Sequence, residues 1–576
     1  SEQVSINIVL KAQVSINFAF CFITMLDYSI LVGGAAGQGS RKAGLLIAKL
    51  LNKYGYRIFI YDDYQSLIKG GHNFSVIRAS EKEVLSHREN IDFLLALDKN
   101  TIEKHKKSLT KTSSIIYNSD EVSGVNGIGV PLKKITQEEG GIPIMENVAL
   151  VAGFAKIAGI DWQCLKKTLQ EEFKEKNEIN LKIAKRAYNE SRSLIKIKKL
   201  NQKPLPLLTG NEALALGAVK AGLNFYFAYP MTPASGILHY LAEHSEKFNI
   251  AVLQLENEVA IINAAIGAAY AGARTMVGTS GGGFALMTEG LSLAAQSETP
   301  VVIVESQRMS PATGVPTYTE QADLLFCLSA GHGDFVRFVI APGDADEAFY
   351  WAGETLNLSL RYQTPSILLI DKEVSESTFS FHPEIQKKVK IKEPLIWKNN
   401  KGEYQRYKIT KNGISPLAFP GQKDIVVKAT SYEHDENGIT VEEDEKMIKA
   451  MQDKRLRKFE EMKKTVERLE AVKVYGKKNS TEAIIVWGST KGPAKEAAER
   501  LGIKLIQLIV IEPFPEKQIK EALRGVKNII LAETNALGQM GKVLNCYGIT
   551  VNKKILKYNG RPFTAEEIIE KIKMKD

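Results

Sequence analysis

Short apolar runs that are typical of β-strands alternate with helical patterns along most of this chain of 576 residues. The first run, Tyr28–Val32, leads through a glycine-rich turn into a helical pattern that ends near Leu51, and a second run, Tyr56–Tyr61, follows. A strand, a helix and a strand at this spacing form a βαβ unit, so we expect a parallel sheet. The alternation returns beyond residue 205. We therefore predict an α/β protein with several open-sheet domains.

Changes in texture divide the chain into an N-terminal extension and four further stretches. We predict an extension at 1–24, an α/β domain at 25–198, a second at 199–385, a charged connector at 386–480 and a third α/β domain at 481–576. The extension carries the duplicated pentad QVSIN and an apolar run without a small-residue cleavage site, so we favour a simple extension or an over-long gene start over an export signal. In the connector, Phe459, Met462, Val466 and Leu469 recur at helical spacing, which predicts an amphipathic helix.

Composition limits the function classes. Hydrophobic residues make up 44% and charged residues 25%, which excludes a disordered or multi-span membrane chain. A net charge of +10 is a mild basic bias that suits acidic ligands or an acidic partner. No basic run is interleaved with aromatics, so we predict no nucleic-acid partner. The sequence shows no transmembrane helix, so we predict no membrane partner. The four cysteines form no CxxC pair, which argues against an iron–sulfur or zinc site in this chain and fits a reducing, cytoplasmic location.

A glycine-rich segment, Gly33–Ser40, separates the first predicted strand from its helix. Glycines at such a turn let backbone N–H groups approach a phosphate, and the next strand ends in Asp62 and Asp63, where a Rossmann domain places its ribose-binding acid. The spacing departs from GxGxxG, so we favour a structural or other phosphate-contacting turn and keep nicotinamide binding as an alternative. Downstream, Lys69–Asn73 predicts a second tight loop, with His72 as a hydrogen-bonded turn residue.

The second α/β stretch carries two loops that suit a small acidic ligand. The strand Phe225–Ala228 ends in the sequence YPMTP at residues 229–233, in which two prolines frame the hydroxyl of Thr232. A later strand leads into QRMSPATGVPT at residues 307–317, where Arg308 precedes a loop braced by proline and glycine. Ligands of open α/β sheets bind beyond the carboxyl ends of the strands, and an arginine there suits a carboxylate.

Two carboxylates, Glu256 and Glu258, precede the alanine-rich helical pattern Val259–Tyr270. A carboxylate that enters an apolar helix is costly to bury unless it is paired, although stabilisation of the helix N-terminus explains either residue equally well. The glycine-rich segment Gly278–Gly283 follows, and it permits either close helix packing or the approach of a cofactor.

Together these motifs resemble the α subunit of 2-oxoacid:ferredoxin oxidoreductases, of the type in which a γ-type domain is fused ahead of α. The YPMTP, ENE, GTSGGG and QRMSPATGVPT segments carry the resemblance, and it extends over nearly everything after Met25. The further matching positions are Gly33–Ser40 and Lys69–Asn73 in the γ-type domain, residues 413–416, 419–421 and 433–436 in the connector, and Glu533, Asn535, Gly538 and Gln539 near the C-terminus.

The resemblance implies a γ-type βαβ domain, a pyrimidine-type thiamine diphosphate domain and a transketolase C-terminal-like domain. It implies that Glu258 pairs with a ring nitrogen of thiamine diphosphate, with Tyr229 and Pro230 among the cofactor contacts. By the same resemblance, Thr232 hydrogen-bonds the 2-oxoacid and Arg308 binds its carboxylate. The implied reaction is the coenzyme A-dependent oxidative decarboxylation of a 2-oxoacid to acyl-CoA and carbon dioxide, with electrons passed to ferredoxin.

This sequence departs from the family's pattern at Met231, Ser310 and Ala312, where isoleucine, glycine and serine are usual. Pyruvate, 2-oxoglutarate, branched-chain and aryl 2-oxoacids all remain candidate substrates. The chain also lacks the GDG segment followed by asparagine that holds magnesium and diphosphate, and it lacks a cysteine cluster. The resemblance therefore implies a β subunit that supplies diphosphate binding, Mg²⁺ and a 4Fe-4S cluster. A non-catalytic assembly scaffold and a nicotinamide-dependent dehydrogenase are the alternatives.

Overall fold

The computed structural model describes residues 27–65, 71–173, 177–398 and 403–574. Contacts between residues divide the chain after Leu205 into two compact units, which are described separately. The predicted extension at residues 1–24 lies outside the described residues, and so do Lys69 and Gly70 of the predicted second loop. The finer domain boundaries of the sequence analysis stay predictions.

The first unit is a mixed sheet with helices on its faces. Its strands are β1 (Asp27–Ala35), β2 (Arg57–Asp63), β3 (His72–Ser80), β4 (Ile91–Ala96), β5 (Leu109–Asn118) and β6 (Ile128–Val130). Its helices are α1 (Ser40–Lys53), α2 (Lys99–His105), α3 (Leu132–Glu138), α4 (Glu146–Ile157), α5 (Trp162–Glu172) and α6 (Asn177–Glu190).

The strands of the first unit lie in the order β6–β5–β4–β1–β3–β2. β1 pairs with β4 in parallel but with β3 antiparallel, and β3 also pairs antiparallel with β2. β1 and β2 thus run in the same direction, as a βαβ unit requires, but the expected purely parallel sheet is wrong because β3 lies between them. His72 is the first residue of that buried strand rather than a turn residue, and its Nε2 lies 2.9 Å from Nε2 of His105.

The second unit begins with further strands and helices of an open α/β sheet. Its strands up to residue 380 are β7 (Leu207–Thr209), β8 (Phe225–Ala228), β9 (Ala251–Gln254), β10 (Thr275–Thr279), β11 (Val302–Gln307), β12 (Phe338–Ile340), β13 (Ser366–Asp371) and β14 (Thr378–Ser380). The accompanying helices are α7 (Gly210–Lys220), α8 (Ser235–Glu243), α9 (Ser245–Phe248), α10 (Glu258–Tyr270), α11 (Gly281–Leu286), α12 (Thr288–Gln296), α13 (Leu324–Ser329), α14 (Ala345–Tyr362) and α15 (Lys372–Glu376).

A long helix, α16 (Glu445–Val466), precedes the last part of the chain, which we call the C-terminal segment (residues 472–574). The strands of this segment are β15 (Val472–Gly476), β16 (Glu482–Trp487), β17 (Lys504–Leu508), β18 (Val510–Glu512), β19 (Asn528–Glu533) and β20 (Lys553–Leu556). Its helices are α17 (Lys491–Leu501), α18 (Glu516–Ala522), α19 (Gln539–Cys546) and α20 (Ala565–Lys573).

The second unit contains a seven-stranded sheet in the order β18–β12–β13–β11–β10–β8–β9. All neighbours in it are parallel except β18, which comes from the C-terminal segment and pairs antiparallel with β12. A five-stranded sheet follows, in the order β15–β17–β16–β19–β20. These open, mainly parallel sheets confirm the predicted α/β fold class. Among the described residues, no helix has both the length and the apolar character that a membrane crossing requires.

One hydrophobic core joins the two sheets of the second unit. It runs from Val277 and Ile303 in the seven-stranded sheet to Ile485 and Trp487 in the five-stranded sheet, all of them buried. Each such aliphatic side chain contributes about 1.5–3 kcal/mol when it is fully removed from water. The C-terminal segment is therefore held against the sheet that carries the predicted active-site loops.

The predicted amphipathic helix of the connector is part of α16 up to Val466, and Leu469 lies beyond the end of that helix. Met462 and Val466 are buried on its inner face. The same face also buries two cations. Nζ of Lys454 lies 2.5 Å from Oε1 of Glu298, and Lys458 forms an ion pair with the other carboxylate oxygen. All three charged side chains are at least 98% buried, so they neutralise one another where water does not reach.

Candidate active site

The loops that the sequence predicts to be functional converge at one edge of the seven-stranded sheet. β8, β10 and β11 run parallel as neighbours or near neighbours, so their carboxyl ends lie at the same edge. β8 leads into residues 229–235, β10 into the glycine-rich start of α11, and β11 into the segment that begins with Arg308. This is the edge at which open α/β sheets bind ligands.

Glu258 and Glu256 occupy different environments in the structure, although the sequence alone offers no reason to prefer one of them as the functional carboxylate. Asn257 caps α10 with its side chain, which accepts a hydrogen bond from the backbone N–H of Ala260 at 2.9 Å. The next residue, Glu258, is 4% exposed, whereas Glu256 is exposed. Because the cap is made by asparagine, the helix start does not by itself explain a buried glutamate at residue 258.

The buried carboxylate of Glu258 lies against the glycine-rich start of α11. A Cβ atom placed on Gly283 would lie 2.6 Å from Oε1 of Glu258 and 2.1 Å from Oγ1 of Thr279, so only glycine allows this approach. Oε1 of Glu258 is buried and meets no hydrogen-bond donor among the described residues. A buried carboxylate oxygen without a donor is costly, and it suits a bound group that presents a polar hydrogen or a protonated ring nitrogen.

The structure brings Thr232 and Arg308 together. Nη1 of Arg308 donates a hydrogen bond of 2.7 Å to the backbone carbonyl of Thr232. The adjacent Pro233 is held from the other side, because the Asn211 side chain donates to its carbonyl at 2.9 Å. Both Thr232 and Arg308 are half-buried, so the threonine hydroxyl and the remaining guanidinium N–H groups stay within reach of a small molecule at this edge.

Met231 links this pair to the pocket of Glu258. Oγ1 of Thr279, which lies beside Gly283, is 3.9 Å from the Met231 sulfur and donates towards it. Tyr229, at the start of the same loop, is 39% exposed, and Pro230 is also exposed. Among the described residues these two make no hydrogen bond that fixes a ligand-binding role, and their assignment as cofactor contacts stays a prediction.

A buried pair of carboxyl groups, Glu305 and Asp323, lies beside Arg308 and was not singled out in the sequence. Neither carboxylate oxygen of Glu305 has a hydrogen-bond partner among the described residues, and neither does Oδ2 of Asp323. Burial, reinforced by Asp323, raises the pKa of Glu305 well above its usual range, and burial raises the pKa of Asp323 to about 6.

Desolvation lowers the pKa of Arg308, and the nearby Glu305 carboxyl opposes that shift. The signal for this pair was present in the sequence as an acidic residue inside the apolar run 300–305, because a carboxylate in a buried strand requires a compensating group. Its partner, 18 positions later in the chain, lies in a loop and gives no local pattern.

The first glycine segment of the chain has a different geometry from a dinucleotide-binding loop. Gly33 and Gly34 belong to β1, and only Gly37 and Gly39 adopt positive φ angles, of 97° and 80°. Asp62 at the end of β2 accepts hydrogen bonds from Oγ of Ser75 at 2.5 Å and from Nε of Arg41 at 3.0 Å. The acid that the nicotinamide alternative would require for ribose binding is thus engaged by its own unit.

No group of three or more histidine, cysteine, aspartate or glutamate side chains suited to a metal ion occurs within residues 27–65, 71–173, 177–398 and 403–574. Three cysteines fall in these ranges, Cys164, Cys327 and Cys546, and all are free. Burial raises the pKa of the Cys327 thiol well above its usual value, so this thiol stays protonated.

Three protein-family profiles match this chain in succession. Residues 29–190 match the family described as pyruvate ferredoxin/flavodoxin oxidoreductase, and residues 216–453 match its thiamine diphosphate-binding region. Residues 481–568 match core domain II of pyruvate:ferredoxin oxidoreductase. The buried, donor-free oxygen of Glu258 lies within the thiamine diphosphate-binding match, and a ring nitrogen that carries a proton fits its chemistry.

Relatives match over almost the whole length. The chain is 31% identical to the 2-oxoacid:ferredoxin oxidoreductase 2 α subunit of Aeropyrum pernix, over 95% of this chain and 98% of that protein. It is 34% identical to the corresponding α subunit of Saccharolobus solfataricus, over 95% and 97%. Its fold matches the 2-oxoglutarate:ferredoxin oxidoreductase of Magnetococcus marinus, solved with 2-oxoglutarate, coenzyme A and succinyl-CoA bound, with a TM-score of 0.86 at 28% identity, over 95% and 99% of the two chains.

Proposed function

The chain belongs to the family of 2-oxoacid:ferredoxin oxidoreductase α subunits, and we propose that it catalyses the coenzyme A-dependent oxidative decarboxylation of a 2-oxoacid. The products are acyl-CoA and carbon dioxide, and the electrons pass to ferredoxin. One observation carries the proposal: the buried carboxylate of Glu258 shares the ligand-binding edge of the sheet with the Thr232–Arg308 pair. One group there suits a cofactor ring and the other a substrate carboxylate.

Thiamine diphosphate supplies a nucleophilic carbon for the 2-oxo group and a sink for the electrons that remain when carbon dioxide leaves. In this proposal Glu258 holds a proton between its Oε1 and a ring nitrogen of the aminopyrimidine. That hydrogen bond would offset the desolvation penalty of a buried carboxylate oxygen that meets no donor among the described residues. Gly283 leaves room for this carboxylate, because a Cβ atom at that position would lie 2.6 Å from Oε1 of Glu258.

Arg308 and Thr232 orient the substrate in this proposal. One guanidinium N–H group donates to the carbonyl of Thr232, and other N–H groups remain to donate to the substrate carboxylate. We assign to the Thr232 hydroxyl a hydrogen bond to the 2-oxoacid. A carboxylate held at two points presents its neighbouring carbon in a fixed direction, which lowers the entropy cost of the reaction.

A β subunit completes the site in this proposal. Support comes from the sequence, in which no GDG segment is followed by asparagine and the cysteines are scattered at Cys21, Cys164, Cys327 and Cys546. We assign Mg²⁺, the diphosphate contacts and a 4Fe-4S cluster to that subunit, with ferredoxin as the electron acceptor and coenzyme A as a substrate. This chain would then contribute half of an active site that works only in the complex, in the cytoplasm.

The test is to purify the chain with its associated proteins from its native source. The material is assayed for thiamine diphosphate, for iron and for dye reduction that depends on both a 2-oxoacid and coenzyme A. A smaller co-purifying subunit together with all three signals is the expected result. Purified material that carries neither thiamine diphosphate nor iron would contradict the proposal and would favour the alternative of a non-catalytic assembly scaffold. Nicotinamide released on denaturation returns it to a dehydrogenase.

A further inference from the structure

The segment that carries Arg308 leaves the sheet at the end of β11 and leads to Gln321. We call residues 308–320 the Arg308 loop. The loop closes on itself through its own backbone. The Met309 N–H donates to the carbonyl of Tyr318 at 2.9 Å, and the Val315 N–H donates back to the carbonyl of Met309 at 3.0 Å. The first and last residues of the loop are therefore joined by hydrogen bonds, so a shift at one end of the loop should move the other end.

The C-terminal end of the Arg308 loop is attached to the C-terminal segment of the chain. The Thr319 N–H donates to the carbonyl of Gly560 at 3.2 Å. The guanidinium of Arg561 stacks on the ring of Tyr318, with its carbon 3.7 Å from the ring centroid. These contacts join the loop to a part of the C-terminal segment about 240 residues away, next to Phe563, which is buried in the core of that segment.

Gln321 is the most strongly bonded residue of this attachment, and it is fully buried. Its side-chain N–H donates to the carbonyl of Trp487 at 2.9 Å. Its side-chain oxygen accepts from Oγ1 of Thr490 at 2.8 Å and from the Thr534 N–H at 3.0 Å. Its backbone N–H donates to the Thr534 carbonyl at 2.7 Å, and its carbonyl accepts from the Asn535 side chain at 3.0 Å. Bonds in so many directions leave the residue no freedom to shift.

We propose that Gln321 is a positioning residue that acts through Arg308, so that the C-terminal segment fixes where the substrate carboxylate is bound. A second tie supports this, because the Asp323 N–H donates to Oε1 of Gln307, the residue next to Arg308, at 3.0 Å. The Arg308 guanidinium is thereby held towards Thr232. Displacement of a binding group by about 1 Å can lower the rate about 100-fold. The buried hydrogen bonds of Gln321 would prevent such a displacement. The inference rests on the proposed function.

The test replaces Gln321 with methionine, which keeps the volume and removes the side-chain bonds. In the complex with its β subunit, we expect the KM for the 2-oxoacid to rise about 10-fold or more while the KM for coenzyme A stays within about 2-fold. In the full chain alone, amide hydrogen exchange in residues 309–318 should become faster by a similar factor. The exchange measurement requires no activity, so it distinguishes failure of this inference from failure of the proposed function.

Gln507→Met is the matched control. Gln507 is also fully buried, and it also ties the C-terminal segment to the rest of the second unit, through a bond of 2.7 Å to Glu347. It does not contact the Arg308 loop. We expect this variant to leave both the KM for the 2-oxoacid and the exchange of residues 309–318 unchanged. Equal changes in both variants would mean general loosening and would overturn the proposal.

Two further variants make the result decisive. In an Arg308→Ala background, Gln321→Met should add less than about 2-fold to the KM for the 2-oxoacid, because its effect passes through Arg308. A full additional loss there overturns the proposal. If Gln321→Met fails to fold, Arg561→Ala replaces it, because that half-exposed side chain is removed without opening the core. It should speed exchange in residues 309–318, and unchanged exchange would contradict the anchoring.

Discussion

The guanidinium of Arg308 donates a hydrogen bond of 2.7 Å to the backbone carbonyl of Thr232. The two residues are 76 positions apart and follow two different strands, β11 and β8. The bond therefore fixes the geometry between a cationic side chain and a hydroxyl that both face the ligand-binding edge of the sheet. Two of the proposed substrate contacts thus form one unit, and a change in either should disturb the other.

We expect Glu258→Gln to lower kcat by about 10²–10⁴, the range found for a positioned acid–base group. Glutamine keeps the shape of the side chain but cannot hold the proton that the proposed cofactor contact requires. Turnover of the complex with its β subunit and the content of bound thiamine diphosphate are the two measurements.

Glu256→Gln is the control for this substitution, because Glu256 lies two positions away and is exposed. It should leave kcat within about 2-fold, as most exposed substitutions have small effects. The assignment of the acid–base role moves to Glu256 if the two variants exchange their effects.

We expect Arg308→Ala to raise the KM for the 2-oxoacid by about 30-fold or more, because truncation of one partner of a desolvated charge pair costs about 2–5 kcal/mol. Arg308→Lys should recover only part of this loss, since an ammonium group cannot make the same two-pronged contact and keep the bond to the Thr232 carbonyl. Steady-state kinetics with the 2-oxoacid and with coenzyme A varied in turn provides the check. A KM for the 2-oxoacid that stays unchanged in Arg308→Ala would mean that another residue holds the carboxylate.

Local sequence patterns predicted much of the architecture. The strand at Phe225–Ala228 has the bounds expected from its apolar run. The strand that contains His72 was missed, because a glycine pair before it favoured a tight loop and a polar start concealed a buried strand. Local glycine and histidine signals describe a turn, whereas the pairing of β3 with both β1 and β2 is set by tertiary contacts.

The candidate site divides in the same way. Thr232, Glu258 and Arg308 stand in short motifs whose chemistry is visible in the sequence, and the structure adds that Glu258 rather than Glu256 is buried. Gln321 was not singled out, because its role depends on a bond to Thr534 across 213 positions. Contacts of that separation leave no periodic trace in a single sequence, so they emerge only when the fold is known.

Asp323 should make stability depend on pH. Burial raises the pKa of its carboxyl from an ordinary 3.8 to about 6, so the folded chain binds this proton more tightly than the unfolded chain. The stabilisation is complete below about pH 4 and is lost as the pH rises to about 6. Asp323→Asn has no charge to bury. At pH 7 we therefore expect its free energy of unfolding to exceed that of the wild type by up to about 3 kcal/mol, and near pH 4 we expect no such gain.

Urea denaturation of wild type and Asp323→Asn at a series of pH values measures this difference. Asp453→Asn is a suitable control, because its side chain is half exposed on α16. That variant should stay within about 0.5 kcal/mol of the wild type throughout. A gain for Asp323→Asn that is the same at pH 4 and pH 7 would contradict ionisation of a buried carboxyl as its source.

The buried ion pairs of Glu298 with Lys454 and Lys458 should be essential to the attachment of α16. Glu298→Gln leaves two buried ammonium groups without a counter-charge, and removal of one partner from a buried pair costs about 3–5 kcal/mol. The midpoint of urea unfolding should fall accordingly. Asp453→Asn is the comparison, because Asp453 pairs with Lys449 on the same helix and both side chains are at least half exposed. We expect a loss of no more than about 1 kcal/mol there.

A triple variant separates charge burial from packing at this site. Glu298→Leu combined with Lys454→Met and Lys458→Met removes all three charges and keeps similar volumes, and such replacements are often neutral or stabilising. We therefore expect the triple variant to unfold at a higher urea concentration than Glu298→Gln, although it carries two more substitutions. If the triple variant were the less stable of the two, the ion pairs themselves, rather than the uncompensated charges left by their removal, would determine how firmly α16 is held.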